Sequence, residues 1–498
     1  MKKIFNTTNL VYLLLVIFGT LVSFKPPSDP DFGWHYKYGE YFVQHGKILR
    51  DNIFSYTNTN YEWSNSYWVA ELVMYLSHHF LGSVYSTLIL SFALSVILLV
   101  IIKKQTRNLL NISINYILLS VSLSIYALTV RPFYYSTVFM FFLFYLLIFK
   151  KDWIRLLPFV FLIWANTHAD FVPALFVYGV YCLDNWVQKT IRTKDSKNLH
   201  FQANSFLDSF KIFFLCVFST LLNPYGIKLW ATLAKELTQP IKSLVNEWGP
   251  FDFSFSNTTT LFISFLLAVG LISSFSVFKR KKDQFGWWYK ILIIFFYILS
   301  IKACYFGRLF FIMSSFAIIQ ELEILVGSLP AFFKSKKVYL PKVSLPVFLV
   351  LLSFAASSLF IENVSLASDI SKWSTEGKYP YNALGYIKKN PMGGNMWNTY
   401  NWGGYLIWQL PEYKTFIDGR MAAWNENGKF FIKEYRLISY DPEKYSDLLN
   451  KYLSDYNITW ILDIPKSKVI KYLLEKSNQN SQWKSVYEDE ISIIIKKK

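Results

Sequence analysis

The feature that most constrains this chain is a succession of about eleven apolar runs, near residues 9-24, 84-102, 112-130, 132-149, 154-168, 170-187, 208-223, 258-278, 287-304, 309-326 and 343-361. About 20 mostly apolar residues, or as few as about 17, cross a bilayer as a helix, because in hydrocarbon every backbone N–H and C=O must be paired within the segment itself. The connecting segments agree with that reading. Lys103, Lys104 and Arg107, then Lys150, Lys151 and Arg155, then Lys189 to Lys197, then Lys279 to Lys282, then Lys334 to Lys342 fill every second loop. Basic residues gather on the cytoplasmic side of a membrane, so these loops and Met1 to Lys3 are expected inside, and the segments after the first and last runs outside.

Composition supports the same class. The 498 residues are 53% hydrophobic and 17% charged, against roughly 25% charged in ordinary soluble proteins. The net charge of +18 does not point to nucleic acid, which requires the basic residues on one face or in one domain. Here they alternate with apolar runs. Cys182, Cys216 and Cys304 lie in apolar surroundings without CxxC spacing, which supports neither zinc nor a disulfide framework. Lys2, Lys3 and a short apolar stretch also describe a signal peptide. No small-x-small site precedes Pro26, and removal would spoil the alternation of basic loops, so the first run is read as a retained span.

Two parts of the chain are not spans. Residues 25-83 form a large first outer loop, counted with the transmembrane domain 1-361, and 362-498 form a polar C-terminal domain, also outside. In that domain "YLIWQL", "KTFIDGR", "ITWILDI" and "ISIIIK" read as strands, and "PEKYSDLLNKYL" and "KSKVIKYLLEKS" as amphipathic helices, giving a small α/β unit.

Apart from the basic clusters, the residues able to do chemistry fall on the outer side: Asp29, Asp31, His35, Glu40, Glu71, His78, His79, Arg131, Asn166, His168, Asp170, Asn223, Glu247 and Arg308. Ionisable groups beside a membrane are costly, and pairing or a water-filled cavity is their usual explanation. In "SDPDFGWHYKYGEYF" (28-42) Asp29 reads as the cap of a helix that begins at Pro30 and ends at Gly46. Asp31 then lies in the first turn, where a carboxylate suits the helix dipole or a site, with His35 on the same face. Trp34, Tyr38 and Tyr41 make an aromatic stripe suited to the interface. A second interfacial helix is expected from Ser66 to Gly82, carrying Glu71 and a diverging His78 and His79. Arg131 and Arg308 stand at outer span ends, where an arginine either snorkels or serves a site. "WANTHADF" (164-171) is a tight outer turn in which His168 and Asp170 have either a turn or a site role.

Those stretches carry a resemblance. "DPDFGWHYKYGEYFVQHGKILRDNIFSYT", "WVAEL" (68-72), "VRPF" (130-133), "WANTHADF", "LLNPYG" (221-226), "NEWGP" (246-250) and "GRLFF" (307-311), with "YNWGGYLIWQL" and "FIDGR" near the C-terminus, resemble a bacterial multi-span family of the GT-C glycosyltransferase superfamily, mannosyltransferase-like. The resemblance implies an acidic residue in the first outer loop, interfacial helices beside it and a polyprenyl-phosphate sugar as donor. Asp31, or Asp29, occupies the acidic position. It also implies a bacterial cytoplasmic (inner) membrane protein, N-terminus inside and C-terminal domain outside.

The chemistry fits independently. A polyprenyl chain keeps the donor in the bilayer and its phosphosugar at the interface, where a water-borne glycan, lipid or protein acceptor arrives. In an inverting transfer a carboxylate, here Asp31, takes the acceptor hydroxyl proton. The leaving phosphate gathers charge that a forked guanidinium matches; Arg131 and Arg308 are candidates, with His168, His35, Glu71 and Asp170 as further substrate-binding groups. Asp418 and Arg420 are candidates on the acceptor side, or a turn with a local ion pair. No cofactor is required. Mg²⁺ or Mn²⁺ on Asp29 and Asp31 is chemically conceivable, but nucleotide sugars are not expected outside. The competing classes are a lipid-linked glycan transporter or flippase, which should show mid-span charges and broken helices in related halves, and a non-catalytic envelope assembly protein.

Overall fold

The computed structural model describes residues 6–126, 130–193, 199–238, 248–251, 258–278, 285–336, 344–372, 379–426, 429–475 and 482–498. Glu247 and the basic run 279–282 lie outside the described residues. Each of the apolar runs is helical, from Thr7–Ser23 through Leu109–Tyr126, Phe133–Phe149, Phe171–Thr193, Thr258–Phe278 and Gly307–Lys336 to Leu345–Ser368. Among the described residues two helices, Trp68–Gln105 and Leu345–Ser368, are long and apolar enough to cross a membrane, and five shorter ones are apolar. The run at 154-168 is divided between a 3-10 turn, Lys151–Leu156, and a nine-residue helix, Leu157–Ala165, with proline in its first turn.

The chain divides into two compact units. The first draws on Met1–Lys25, Tyr85–Gly226 and Asn246–Val364. Its helices turn large apolar side chains outward: Phe354 is 79% exposed, Ile272 68% and Phe214 64%. Water would penalise such patches; lipid covers them without cost. Inside, small and hydroxylated residues let helices approach, as is usual where no hydrophobic force separates helix from lipid. The Tyr116 hydroxyl donates to the Ser95 carbonyl at 3.1 Å and the Ser124 hydroxyl to that of Val22 at 2.7 Å. A Cβ at Gly19 would lie 2.1 Å from the Tyr116 hydroxyl.

The second unit draws on Pro26–Val84, Ile227–Val245 and Ser365–Lys498. Its first helix, Phe32–His45, ends at Gly46 in a left-handed conformation (φ 63°) as expected, but begins two residues later than Pro30. Pro30 and Asp31 form a turn instead, closed by the Phe32 N–H on the Asp29 carbonyl at 3.0 Å. The next helix starts at Trp68 and breaks at Gly82 (φ 74°, ψ 165°), after which residues 83–105 continue as an apolar helix. An amphipathic helix, Ile227–Thr238, was not anticipated. Its roughly three turns of mixed polarity fall between motifs that read as loop.

The C-terminal segment forms strands β1 (Asn395–Asn398), β2 (Asn425–Glu426), β3 (Lys429–Phe430), β4 (Ile458–Asp463), β5 (Trp483–Glu488) and β6 (Ile493–Lys497). Four of them make a sheet of order β1-β4-β6-β5, with β1 parallel to β4 and the other pairs antiparallel. Trp460, Leu462 and Ile494 face one apolar cluster, and Ile458, Ile461 and Ile495 another. Burial on both faces is why β4 and β6 read as continuous apolar runs. "YLIWQL" is not a strand but the helix Gly403–Gln409. A short run of four apolar residues, Tyr405 to Trp408, cannot be assigned by period alone, and here Tyr405 and Leu406 enter one core while Ile407 enters another. "KTFIDGR" is likewise no strand: Thr415 makes a single bridge to Ser55, and Gly419–Ala423 is a 3-10 turn. The expected helices appear as Ser446–Asp455 and Lys468–Glu475, while Tyr381–Lys389 and Phe431–Tyr440 add two more.

Candidate functional site

The sequence candidates gather into two groups, one in each unit. In the membrane unit the turn between Leu157–Ala165 and Phe171–Thr193 holds Asp170 almost fully buried. Asp170 accepts from Arg308 on one carboxylate oxygen and from the Tyr305 hydroxyl on the other. The His168 ring nitrogen Nδ1 lies 3.4 Å from the same carboxylate and accepts the Asp170 N–H at 3.2 Å. Arg308 also donates to the Phe133 carbonyl at 3.0 Å and the Thr137 hydroxyl at 3.4 Å. Three of its five donors thus go to protein groups, and removing either partner of such a pair strands a buried charge. Arg131 differs. It is half-buried, with its guanidinium 5.3 Å from the centre of the Phe133 ring, whose own centre lies 4.8 Å from Arg308. Asn166 bonds the Leu162 and Leu222 carbonyls, and Asn223 closes the turn that ends at Gly226.

In the second unit the helix Phe32–His45 carries the other group. The Asp29 side chain accepts the Asp31 N–H at 3.0 Å, so it does cap the opening turn. Asp31 makes no capping bond; its Oδ1 accepts from the Trp34 indole at 3.0 Å. A Cβ on Gly419 would fall 1.9 Å from that same oxygen, so only a residue without a side chain lets the carboxylate rest there. Both aspartates are half-buried. Four residues on, His35 Nδ1 lies 3.0 Å from Glu71, whose second oxygen accepts from Asn65 at 2.8 Å. Burial pushes the Glu71 carboxyl well above its usual range, opposed by the Asn65 hydrogen bond and the Arg420 charge. His35 and Glu71 are 3% and 1% exposed, too enclosed to touch a substrate.

Asp418 and Arg420 form a fully buried two-pronged pair, both bonds 2.7 Å, and Arg420 donates further to the Tyr38 hydroxyl at 3.1 Å. Their expected acceptor-side alternative, a turn with a local ion pair, is the arrangement observed: Asp418 also takes the Arg420 N–H at the start of the 3-10 turn. Close backbone contacts hold this region together. A Cβ at Gly33 would lie 2.0 Å from the Gly404 carbonyl oxygen, and one at Gly404 2.1 Å from that of Pro30. His78 and His79 diverge as expected, His78 buried edge-on to Phe32 and His79 stacked on Tyr75. Glu40 pairs with Lys37 on the helix surface.

Several participants escaped the sequence reading. Tyr305 and Trp248 sit beside or within quoted motifs but carry no charge to draw notice. Asn65 gives no local signal. Half-buried Glu236, on the unanticipated helix, has its pKa raised to about 7 by burial, against a hydrogen bond from Trp63 and the Lys235 charge.

No protein-family model matches the chain, and no curated protein matches it in sequence. Solved structures do. The Archaeoglobus fulgidus oligosaccharyltransferase, tethered to an acceptor peptide containing the NVT sequon, aligns at TM-score 0.52 and 12% identity over 91% of this chain and 69% of that one. The oligosaccharyltransferase AglB of that organism, in complex with an inhibitory peptide and a dolichol-phosphate, aligns at 0.53 and 11% over the same shares. ArnT from Cupriavidus metallidurans bound to undecaprenyl phosphate aligns at 0.46 and 9%, over 98% and 97%. At this level of identity the likeness concerns the fold alone: the chain shares the fold of these two oligosaccharyltransferases.

Proposed function

We propose that the protein is an integral membrane glycosyltransferase that moves a sugar from a polyprenyl-phosphate donor to a glycan, lipid or protein acceptor of the envelope, on the outer face of a bacterial inner membrane. Asp31 carries the reading. In a fold shared with a dolichol-phosphate-binding oligosaccharyltransferase, it is a half-buried carboxylate at the head of an outer-loop helix, among neighbours already committed to one another. As base, Asp31 takes the proton of the acceptor hydroxyl while that oxygen attacks C1 of the sugar, and the bond from C1 to the phosphate oxygen breaks on the opposite side. The product is inverted at C1, and the polyprenyl phosphate departs with the charge. Arg131 receives that charge, since it is half-buried whereas Arg308 is only 5% exposed and paired with Asp170. His168 and Asp170 hold Arg308, and through it the outer end of its helix. His35 and Glu71 fix the helix that presents Asp31, and Asp418 with Arg420 forms the bed against which that helix lies.

The eleven-span topology, with the transmembrane domain at 1-361 and the outer domain at 362-498, belongs to the same proposal. Lipid-linked sugars and envelope glycans compared by mass spectrometry in cells with and without the protein test the function. A polyprenyl-phosphate sugar that accumulates together with a glycan lacking one residue is the expected result; unchanged pools of both would sink the reading.

A further inference from the structure

In the membrane unit one stacked pair of rings adjoins the Asp170–Arg308 pair. Trp248 lies flat on Tyr305, centroids 4.4 Å apart and planes within 10°, while Phe306 meets its edge at 6.0 Å and 89°. The short segment bearing Trp248 is tied to the end of Trp287–Lys302 by two backbone bonds, Cys304 N–H to the Gly249 carbonyl and Phe251 N–H to the Ile301 carbonyl, each 3.0 Å. Tyr305 is anchored in turn by its hydroxyl on Asp170 and by Arg308 above its ring at 5.5 Å. Trp248 itself is half-buried. A tryptophan that merely anchors a protein at the bilayer surface needs no such support. This one has a ring beneath it, a ring at its edge, and backbone bonds fixing its position.

We propose that the Trp248–Tyr305 stack is the platform on which the sugar ring of the lipid-linked donor rests. The inference depends on the donor reading above and adds the part of the donor that this unit recognises. A pyranose presents a face of C–H groups, and the negative face of an indole attracts their partial positive charge. The rings of Tyr305 and Phe133 both flank Arg308, and Phe133 also meets Arg131. The unit thus carries an aromatic face and a half-buried cation on one continuous line of contacts, and a phosphosugar has a C–H face at one end and an anion at the other. The indole selects for the presence of a ring, and the guanidinium for the phosphate.

The test uses the full chain in lipid nanodiscs and three probes: undecaprenyl phosphate, undecaprenyl-phosphate mannose and undecaprenyl-phosphate glucose. Affinities are measured for wild type, Trp248→Leu and Trp248→Phe, and the fluorescence difference between wild type and Trp248→Phe isolates this indole. The platform predicts that Trp248→Leu weakens at least one sugar-bearing lipid about tenfold, with Trp248→Phe between, while bare undecaprenyl phosphate binds all three proteins alike. The difference spectrum should change only with a sugar-bearing lipid. Equal weakening of all three probes would make Trp248 a prenyl or headgroup contact, and no weakening of any would make it an anchor; either overturns the platform. Wild-type binding of undecaprenyl phosphate with no preference for a sugar-bearing lipid would also overturn it while leaving the phosphate reading intact. Absence of binding by all three probes would remove the donor reading beneath it.

Discussion

Among the described residues each unit holds a buried arginine–aspartate pair and, within the same group, a half-buried charged residue proposed for the chemistry. In the membrane unit the pair is Arg308 with Asp170 and the half-buried residue Arg131; in the second unit the pair is Arg420 with Asp418 and the half-buried residue Asp31. The pairs differ in how they are reached. Asp418 and Arg420 are two residues apart on one turn, with side chains 0% exposed, so they stiffen a local loop. Asp170 and Arg308 join two distant segments through a tyrosine, a histidine and a backbone carbonyl. A charge buried in a pair presents little surface to a substrate, so chemistry is sought beside the pair rather than in it.

Asp31 gives the sharpest way to break this comparison. Asp31→Asn keeps shape but cannot take a proton, so transfer should fall by about 10² to 10⁴-fold, the range for a missing general base. Asp29→Asn keeps the oxygen that caps the turn and should retain most activity. Sugar transfer per amount of protein in membranes is the readout, and equal loss in both variants would place Asp31 in a shared binding role instead.

Next come the pairs themselves. Arg420→Gln should destabilise the fold by about 3–5 kcal/mol, because Asp418 remains buried and charged, and adding Asp418→Asn should recover a large part of that loss. Thermal unfolding of the single and double variants measures it. A single variant as stable as wild type would mean that the pair does not stiffen the loop.

A smaller effect separates the two membrane-unit arginines. Arg131→Lys exchanges a fork for a point charge and should raise the donor KM about tenfold, equivalent to ~1.4 kcal/mol, with little change in the unfolding midpoint. Arg308→Lys should do the reverse. If both variants shift KM alike, Arg308 also touches the donor.

The smallest effect concerns Glu236. Its folded pKa of about 7 exceeds the ordinary value of 4.5. The native state therefore holds the proton more tightly, and the stability this group contributes is complete below about pH 4.5 and is lost as pH rises through 7. The unfolding midpoint of wild type should fall between pH 5 and 8 by more than that of Glu236→Gln. Parallel curves would show that the group titrates normally.

How much of this was legible in the sequence follows from range. Apolar length and alternating basic loops are local, and so are Gly46 and the helix it ends; all could be read directly. The pairing of His35 with Glu71 joins residues 36 apart, and that of Asp170 with Arg308 residues 138 apart. Both partners were named as chemically able, but only the fold could show that they had each other. The "YLIWQL" segment failed for another reason: burial from two sides erases the period that tells helix from strand.

Gly33 and Gly404 meet across a seam whose nearest atoms are main chain, the carbonyl oxygens of Gly404 and Pro30. When a side chain grows into a neighbouring side chain, shrinking the neighbour restores the fit. Here the neighbour is a carbonyl oxygen, which no codon can shorten, so a larger residue at either glycine has no partner to trim. A search for second-site suppressors of Gly33→Ala should therefore return changes that shift the whole 403–409 segment, and none that repairs the contact itself.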